Sequence, residues 1–413
     1  MQVSPSVGFP PQNLNSGLDQ IDTTRDAVAE ETKAVFKAIL DDSAMEKILK
    51  VANQEPPVPD TFPHVTNFGA TEYIYEPSEW WTSGFFPGSV WALCERASKR
   101  ELPVSFENLV KIARKWQSGM EKEQYNTETH DIGFMIMPSF QRDLDLTGNK
   151  ACGDVIIRAA ESLLTRWNET VGCLRSWNQS STKVYEFTNK DTDFLVIIDN
   201  MMNLDLLYSA SLISGDPKYA AIATKHAETT LKYHIRPDNS TYHLIVYDPV
   251  TGKRKVGLTH QGYAHESTWS RGQAWALYGF ATAYQYTKDP KFLDAAKRLA
   301  NYFMSRVENG VVYWDFDAPR PCVWDTSAAT IACSGMLLLC QLQGNLEYLP
   351  QVTSILKTCV DGALASKDCV TILDHATVNN YEHANQRIAD HGLVYADYYF
   401  LEVGNRLIDL GLA

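Results

Sequence analysis

Ser214-Gly215-Asp216-Pro217-Lys218-Tyr219 and Thr287-Lys288-Asp289-Pro290-Lys291-Phe292 state one phrase at two places in the chain. In both, an Asp stands at the N-cap of a helix and a Pro occupies its first position, where the missing N–H is no loss. Gly344-Asn345-Leu346-Glu347-Tyr348 is a looser copy, and Gly148-Asn149-Lys150 looser still. Each copy opens an amphipathic helix and follows a less polar one rich in Ala, Leu, Tyr and Gly. The first kind belongs on an exterior and the second in an interior. Such pairs recurring every ~50–70 residues predict stacked helical hairpins. Six pairs predict an all-α fold, an (α/α)6 barrel with six inner and six outer helices and short strands at its mouth.

Apolar periodicity predicts helices over 24–50, 84–99, 103–119, 133–145, 149–168, 196–213, 217–234, 269–286, 290–306, 326–342, 345–363 and 391–409. Short strands are expected at 242–247 and 311–314. Residues 1–22, rich in Pro, Ser, Asn and Gly, read as a poorly ordered arm, with 23–413 as one catalytic domain. The 413 residues are 45% hydrophobic and 21% charged, a globular composition, with no apolar run of membrane-spanning length. The net charge of −13 and the lack of a Lys/Arg run speak against nucleic acid and anionic membranes as partners. None of the eight cysteines pairs as C-x-x-C, so no zinc site or other metal is expected. Met1-Gln2-Val3-Ser4-Pro5 lacks a basic head and an apolar run, giving the expectation of a cytoplasmic protein, although sequons at Asn168, Asn178 and Asn239 keep secretion open.

In such a barrel the entries to the inner helices converge on one end. Trp80-Trp81-Thr82-Ser83-Gly84 opens one; read locally, Trp81 is a core aromatic as readily as a sugar platform. Asp131 in His130-Asp131-Ile132-Gly133-Phe134 is an N-cap or a pocket carboxylate. Ile197-Ile198-Asp199-Asn200-Met201-Met202-Asn203 is the most informative stretch. A carboxylate among Ile and Met loses hydration, its pKa rises, and it becomes a general acid for neutral pH. Asn203, one turn on, is placed to orient it. His260-Gln261-Gly262-Tyr263 leads to Ser267-Thr268-Trp269-Ser270-Arg271-Gly272-Gln273-Ala274-Trp275, where Ser267 or Thr268 is a candidate cap. Arg271 and Trp275 share a helix face. An Arg on an apolar inner helix requires an anion: a sugar carboxylate, or a protein carboxylate such as Asp131 or Asp199. His243, alone in its strand, reads as a packed residue. No phosphate-binding glycine loop, G-x-S-x-G or H-E-x-x-H is present.

Several motifs resemble the unsaturated glucuronyl hydrolases, glycoside hydrolase family 88. They are W-T-S-G-F-F-P-G at 81–88, H-D-I-G-F at 130–134, I-D-N-M-M-N-L-D-L-L at 198–207, H-Q-G-Y at 260–263, W-S-R-G-Q-A-W at 269–275, D-T-S-A-A at 325–329 and D-Y-Y-F-L-E at 397–402. The resemblance implies a six-hairpin toroid and hydrolysis of oligosaccharides that end in a 4,5-unsaturated uronic acid. It implies Asp199 as the principal catalytic residue with Asp131 as its partner. It further implies Trp81, Trp177, His243, Gln261, Arg271 and Trp275 as substrate-site residues, and no cofactor. The stretch from Trp177 to Asp199 looks longer than in bacterial members, so the wall facing the leaving sugar is expected to differ. Two other chemistries fit the same carboxylates, unsaturated rhamnogalacturonyl hydrolysis and a two-carboxylate glycosidase on saturated sugars. A sugar-binding protein on this scaffold predicts binding without turnover. A monomer or homodimer is expected.

Overall fold

The computed structural model describes residues 30–413, so the predicted arm at 1–22 lies outside the described residues. Six helices form an inner ring: α3 (Phe85–Lys99), α5 (Ile132–Thr147), α7 (Asn200–Ser214), α9 (Ser270–Thr287), α11 (Thr326–Gln343) and α13 (Val394–Asp409). Each packs on the next, and α13 returns to α3, so the ring is closed. Five outer helices alternate with them: α4 (Phe106–Ser118), α6 (Lys150–Leu164), α8 (Pro217–Tyr233), α10 (Pro290–Arg306) and α12 (Leu349–Gly362). The sixth outer position is shared by α1 (Glu30–Ile39) and α2 (Asp42–Ala52), which pack beside α12, α13 and α3. The fold is the expected (α/α)6 barrel. The helix expected over 24–50 is interrupted because Asp41 takes an extended backbone and caps α2 through the Ser43 N–H.

Burial follows the two helix types. The inner α11 is enclosed on every side from Thr326 to Cys340, although its composition would suit a membrane span. The outer α4 buries only Leu109, Ala113, Trp116 and Gln117. Asp216 and Asp289 cap α8 and α10 through the N–H groups of Lys218 and Lys291, as their repeated phrase predicts. Inner helices touch through small residues: a Cβ on Gly279 would lie 2.5 Å from Met201 Cβ.

Consecutive hairpins leave the inner helices parallel, so all six begin at one mouth. Short strands line it. The pair β1 (Thr61–Thr66) and β2 (Tyr73–Pro77) is antiparallel. Two-residue ladders follow: β3 (Trp167–Asn168) with β4 (Cys173–Leu174), and β5 (Ser180–Ser181) with β6 (Glu186–Phe187). The antiparallel sheet β7 (Phe194–Ile197), β8 (Leu244–Tyr247) and β9 (Arg254–Leu258) completes the rim. Two expectations are corrected here. Residues 194–197 form a buried strand, not the start of a helix, because their apolar run packs on both faces of the sheet. The segment 311–314 makes only isolated bridges, Glu308 with Val311 and Tyr313 with Trp324.

Candidate active site

Asp199 stands between β7 and α7. Ile197 pairs with Leu244, and the Ile198 N–H donates to the His243 carbonyl at 2.9 Å, so the sheet register sets Asp199 beside His243. His243 Nε2 lies 3.8 Å from Asp199 Oδ2. The His260 N–H donates to His243 Nδ1 at 3.1 Å. That ring is neutral, its pKa held well below the usual value by burial and by His260, so its single proton sits on Nε2 and faces Asp199. Burial raises the Asp199 carboxyl to about 7, against the pull of Arg271, and the nearby Asp131 pushes it further up. Oδ2 is enclosed without a close donor, which leaves Oδ1 as the oxygen that meets a substrate.

Asp131 ends the loop that enters α5. It occupies the N-cap position of α5, and its backbone carbonyl accepts the Met135 N–H, but its side chain makes no capping bond and turns to the pocket. Its Oδ2 accepts from Thr129 Oγ1 at 3.0 Å, while its own N–H donates back to that hydroxyl. His130 Nε2 lies 3.3 Å from Oδ1. Burial raises this carboxyl too to about 7, moderated by Thr129 and the Arg166 cation. The Asp131 and Asp199 side chains keep 14% and 11% of their surface, so each shows one edge to the mouth. Asn203 does not orient Asp199. Its Oδ1 accepts the Phe134 N–H at 3.0 Å and satisfies an orphan donor at the start of α5.

Aromatic rings form the floor and one wall. Trp81 is half-buried against Tyr395, Phe134 and Phe85, with the Tyr395 ring 5.0 Å away. Trp275 is fully enclosed beneath Phe134, and its indole N–H makes no hydrogen bond to Asp199. Trp177 is half-buried beside His260 and His243, at the edge of a cavity of about 470 Å³ that Glu186 and Thr188 also line. Gln261 is half-buried and makes no hydrogen bond within the described residues. Its loop is held by Asp315, which accepts from the Tyr263 N–H and from Ser267 Oγ. Ser267 is therefore not a helix cap, and Thr268 is not one either.

Arg271 meets a protein carboxylate, as one of the two sequence readings had it, but a different one from those named. Its guanidinium is 1% exposed and pairs with Asp325 at 2.7 Å, not with Asp131 or Asp199. Both terminal nitrogens also donate to carbonyls, Nη1 to Thr377 and Nη2 to Val378. Asp325 in turn caps α11. Arg271 thus ties the 377–378 loop to two inner helices and lends Asp199 a positive field. Sequence reasoning passed over His130, Arg166, Trp269, Asp325 and Tyr395. The signal for all but Arg166 and Tyr395 was their place inside helix-entry motifs.

Two ionisable carboxyls near neutrality, an imidazole N–H behind one of them and packed aromatics at a barrel mouth define an acid–base enzyme acting on sugars. Residues 58–311 match the model of Glycosyl Hydrolase Family 88. The chain is 42% identical over 353 residues to the unsaturated glucuronyl hydrolase of Formosa agariphila, covering 82% of each. It is 32% identical to the unsaturated glucuronyl hydrolase of Bacillus sp. strain GL1, over 84% of this chain and 91% of that one. The crystal structure of an unsaturated glucuronyl hydrolase specific for heparin superposes with a TM-score of 0.79 at 32% identity, covering 92% of this chain and 98% of the other. The chain belongs to glycoside hydrolase family 88, and it is a glycoside hydrolase.

Proposed function

We propose that this enzyme removes a 4,5-unsaturated glucuronic acid from the non-reducing end of lyase-generated oligosaccharides by hydrating its C4=C5 bond. The observation that carries the reading is Asp199: a carboxyl brought to about 7, with one oxygen turned to the His243 N–H and the other to the mouth. Asp199 Oδ1 gives a proton to C4 of the enol ether. The cation left behind is shared between C5 and the ring oxygen. Water adds to C5 and its proton returns to Asp199. The C5 hemiketal opens to a ketone, and the C1 hemiacetal expels the leaving sugar as an alcohol. The carboxyl and water account for the hydration; on opening, the C5 hydroxyl proton passes to the ring oxygen, and on expulsion the C1 hydroxyl proton passes to the leaving sugar's oxygen.

The other residues fit this sequence. With Asp131 close enough to repel Asp199, the pair holds one proton between them at neutral pH, and its apparent pKa values belong to the pair. Six inner-helix N-termini converge on the mouth and favour the anionic uronate. Trp81 and Trp177 offer ring faces, and Gln261 offers an unengaged amide. The test is a panel of unsaturated disaccharides followed by loss of enol-ether absorbance. Turnover confined to glucuronic-type unsaturated substrates supports the reading. Turnover of unsaturated rhamnogalacturonan fragments alone replaces it with the pectin-type reaction, and release of a saturated sugar replaces it with direct glycoside cleavage.

A further inference from the structure

Arg166 lies behind the site, buried, between α6 and β3. Among the described residues no carboxylate oxygen comes within 4.0 Å of it. Its guanidinium is instead spent on two loops. Nη1 donates to the Thr127 carbonyl at 2.8 Å, in the loop that ends at Asp131. Nε donates to the Arg175 carbonyl at 2.8 Å, and Nη2 to the Ser176 carbonyl at 2.9 Å and to Asn178 Oδ1 at 3.0 Å, on both sides of Trp177. Asn178 closes the circuit by donating to Glu128 Oε2 at 2.9 Å. A buried cation with no paired carboxylate is costly, and neutral residues would pack this space more cheaply. The geometry needs a planar fork carrying at least three donors, which Arg alone supplies.

We propose that Arg166 is a positioning residue that ties the loop ending at Asp131 to the segment around Trp177, setting Trp177 at a fixed distance from Asp131 and presenting its charge to that loop. It touches neither substrate nor reacting atoms. It acts through Trp177, the wall beside the 470 Å³ cavity, and through the charge it shows to Asp131. The other titratable groups around Asp131 are His130 at its side, neutral with a pKa near 3, and Asp199 across the mouth. Glu128 and Arg175 act on Arg166 itself. With Arg166 removed, nothing else in this set replaces its charge at Asp131.

The inference rests on the proposed reaction, and the test separates the two. A parent enzyme inactive on every unsaturated disaccharide faults the reaction; an active parent with indifferent variants faults only the role of Arg166. Three variants are compared with the parent by kcat and KM across pH. Arg166→Gln loses charge and fork, so the acid limb of kcat/KM moves to higher pH by about one unit and KM rises about tenfold. Arg166→Lys keeps the charge but not the fork, so the limb stays and KM still rises. Asn178→Ala loosens only the Trp177 side, raising KM about threefold with an unmoved limb. A merely structural arginine lowers the melting temperature and leaves limb and KM alone, and that result overturns the proposal. Should Arg166→Gln fail to fold, unchanged KM in both Arg166→Lys and Asn178→Ala overturns it equally.

Discussion

Asp199→Asn separates the chemistry of this carboxyl from its place in the fold. The amide matches it in volume and can keep a carbonyl oxygen facing the His243 N–H, so the barrel is retained. It cannot deliver a proton, and a positioned general acid contributes about 10²–10⁴-fold, so kcat falls by about a hundredfold or more. Stability offers a second readout with a definite sign. The folded carboxyl titrates near 7 and an unfolded Asp at 3.8, so the folded state holds the proton more tightly. The contribution of this carboxyl to parent stability is therefore fully present below pH 3.8 and is lost as pH rises towards 7. Three units at about 1.4 kcal/mol each bound the decline at about 4 kcal/mol, reduced by the coupling to Asp131. The amide has no such dependence. Thermal unfolding from pH 4 to 8 then shows Asp199→Asn gaining on the parent as pH rises. A constant difference between the two melting curves, or more than a tenth of parental turnover in the variant, refutes the assignment.

Three further outcomes follow from named contacts. Trp177→Ala removes a half-buried ring beside His260, and raises KM about three- to tenfold with kcat little changed, the range of one aromatic contact. Arg271→Met strands the enclosed Asp325 carboxylate, and destabilises the fold by about 3–5 kcal/mol in chemical unfolding, far more than Trp177→Ala. His64, His130, His226 and His234 are buried and His260 is half-buried, with pKa values brought down to about 3–4, and burial holds His243 well below its usual value. Unfolding lets each bind a proton below pH 6.5, so these six favour the unfolded state progressively as pH falls from 6.5 towards 4. Replacing His226 with Asn, which retains an acceptor for the Leu174 N–H, flattens that acid decline in pH-dependent melting.

The repeated Asp-Pro phrase carried the architecture because a cap and a proline act locally, and the alternation of apolar and amphipathic helices follows from which face meets water. The break at Asp41 escaped because α1 and α2 continue one amphipathic pattern, and only the cap geometry shows the turn. The strand at Phe194–Ile197 escaped for a related reason: a short buried apolar run has no period to distinguish strand from helix, and its partner β8 lies some fifty residues on. Asp199 was legible as a carboxyl amid Ile and Met. His243 was not, since its role depends on cross-strand register. Arg271 was legible as a buried cation in need of an anion, but the anion, Asp325, comes from the next inner helix. Arg166 had no local signal, because its four acceptors are mostly backbone carbonyls, which no side-chain pattern encodes.

Hydration and direct glycoside cleavage differ in the order of events, and a rapid-mixing experiment reads that order. The parent enzyme in excess is mixed with an unsaturated disaccharide in heavy water, and enol-ether absorbance and the freed sugar are followed together. Hydration predicts that absorbance is lost no later than the leaving sugar appears, with deuterium at C4 of the uronate product. Free leaving sugar beside a uronate whose double bond is still intact contradicts the account.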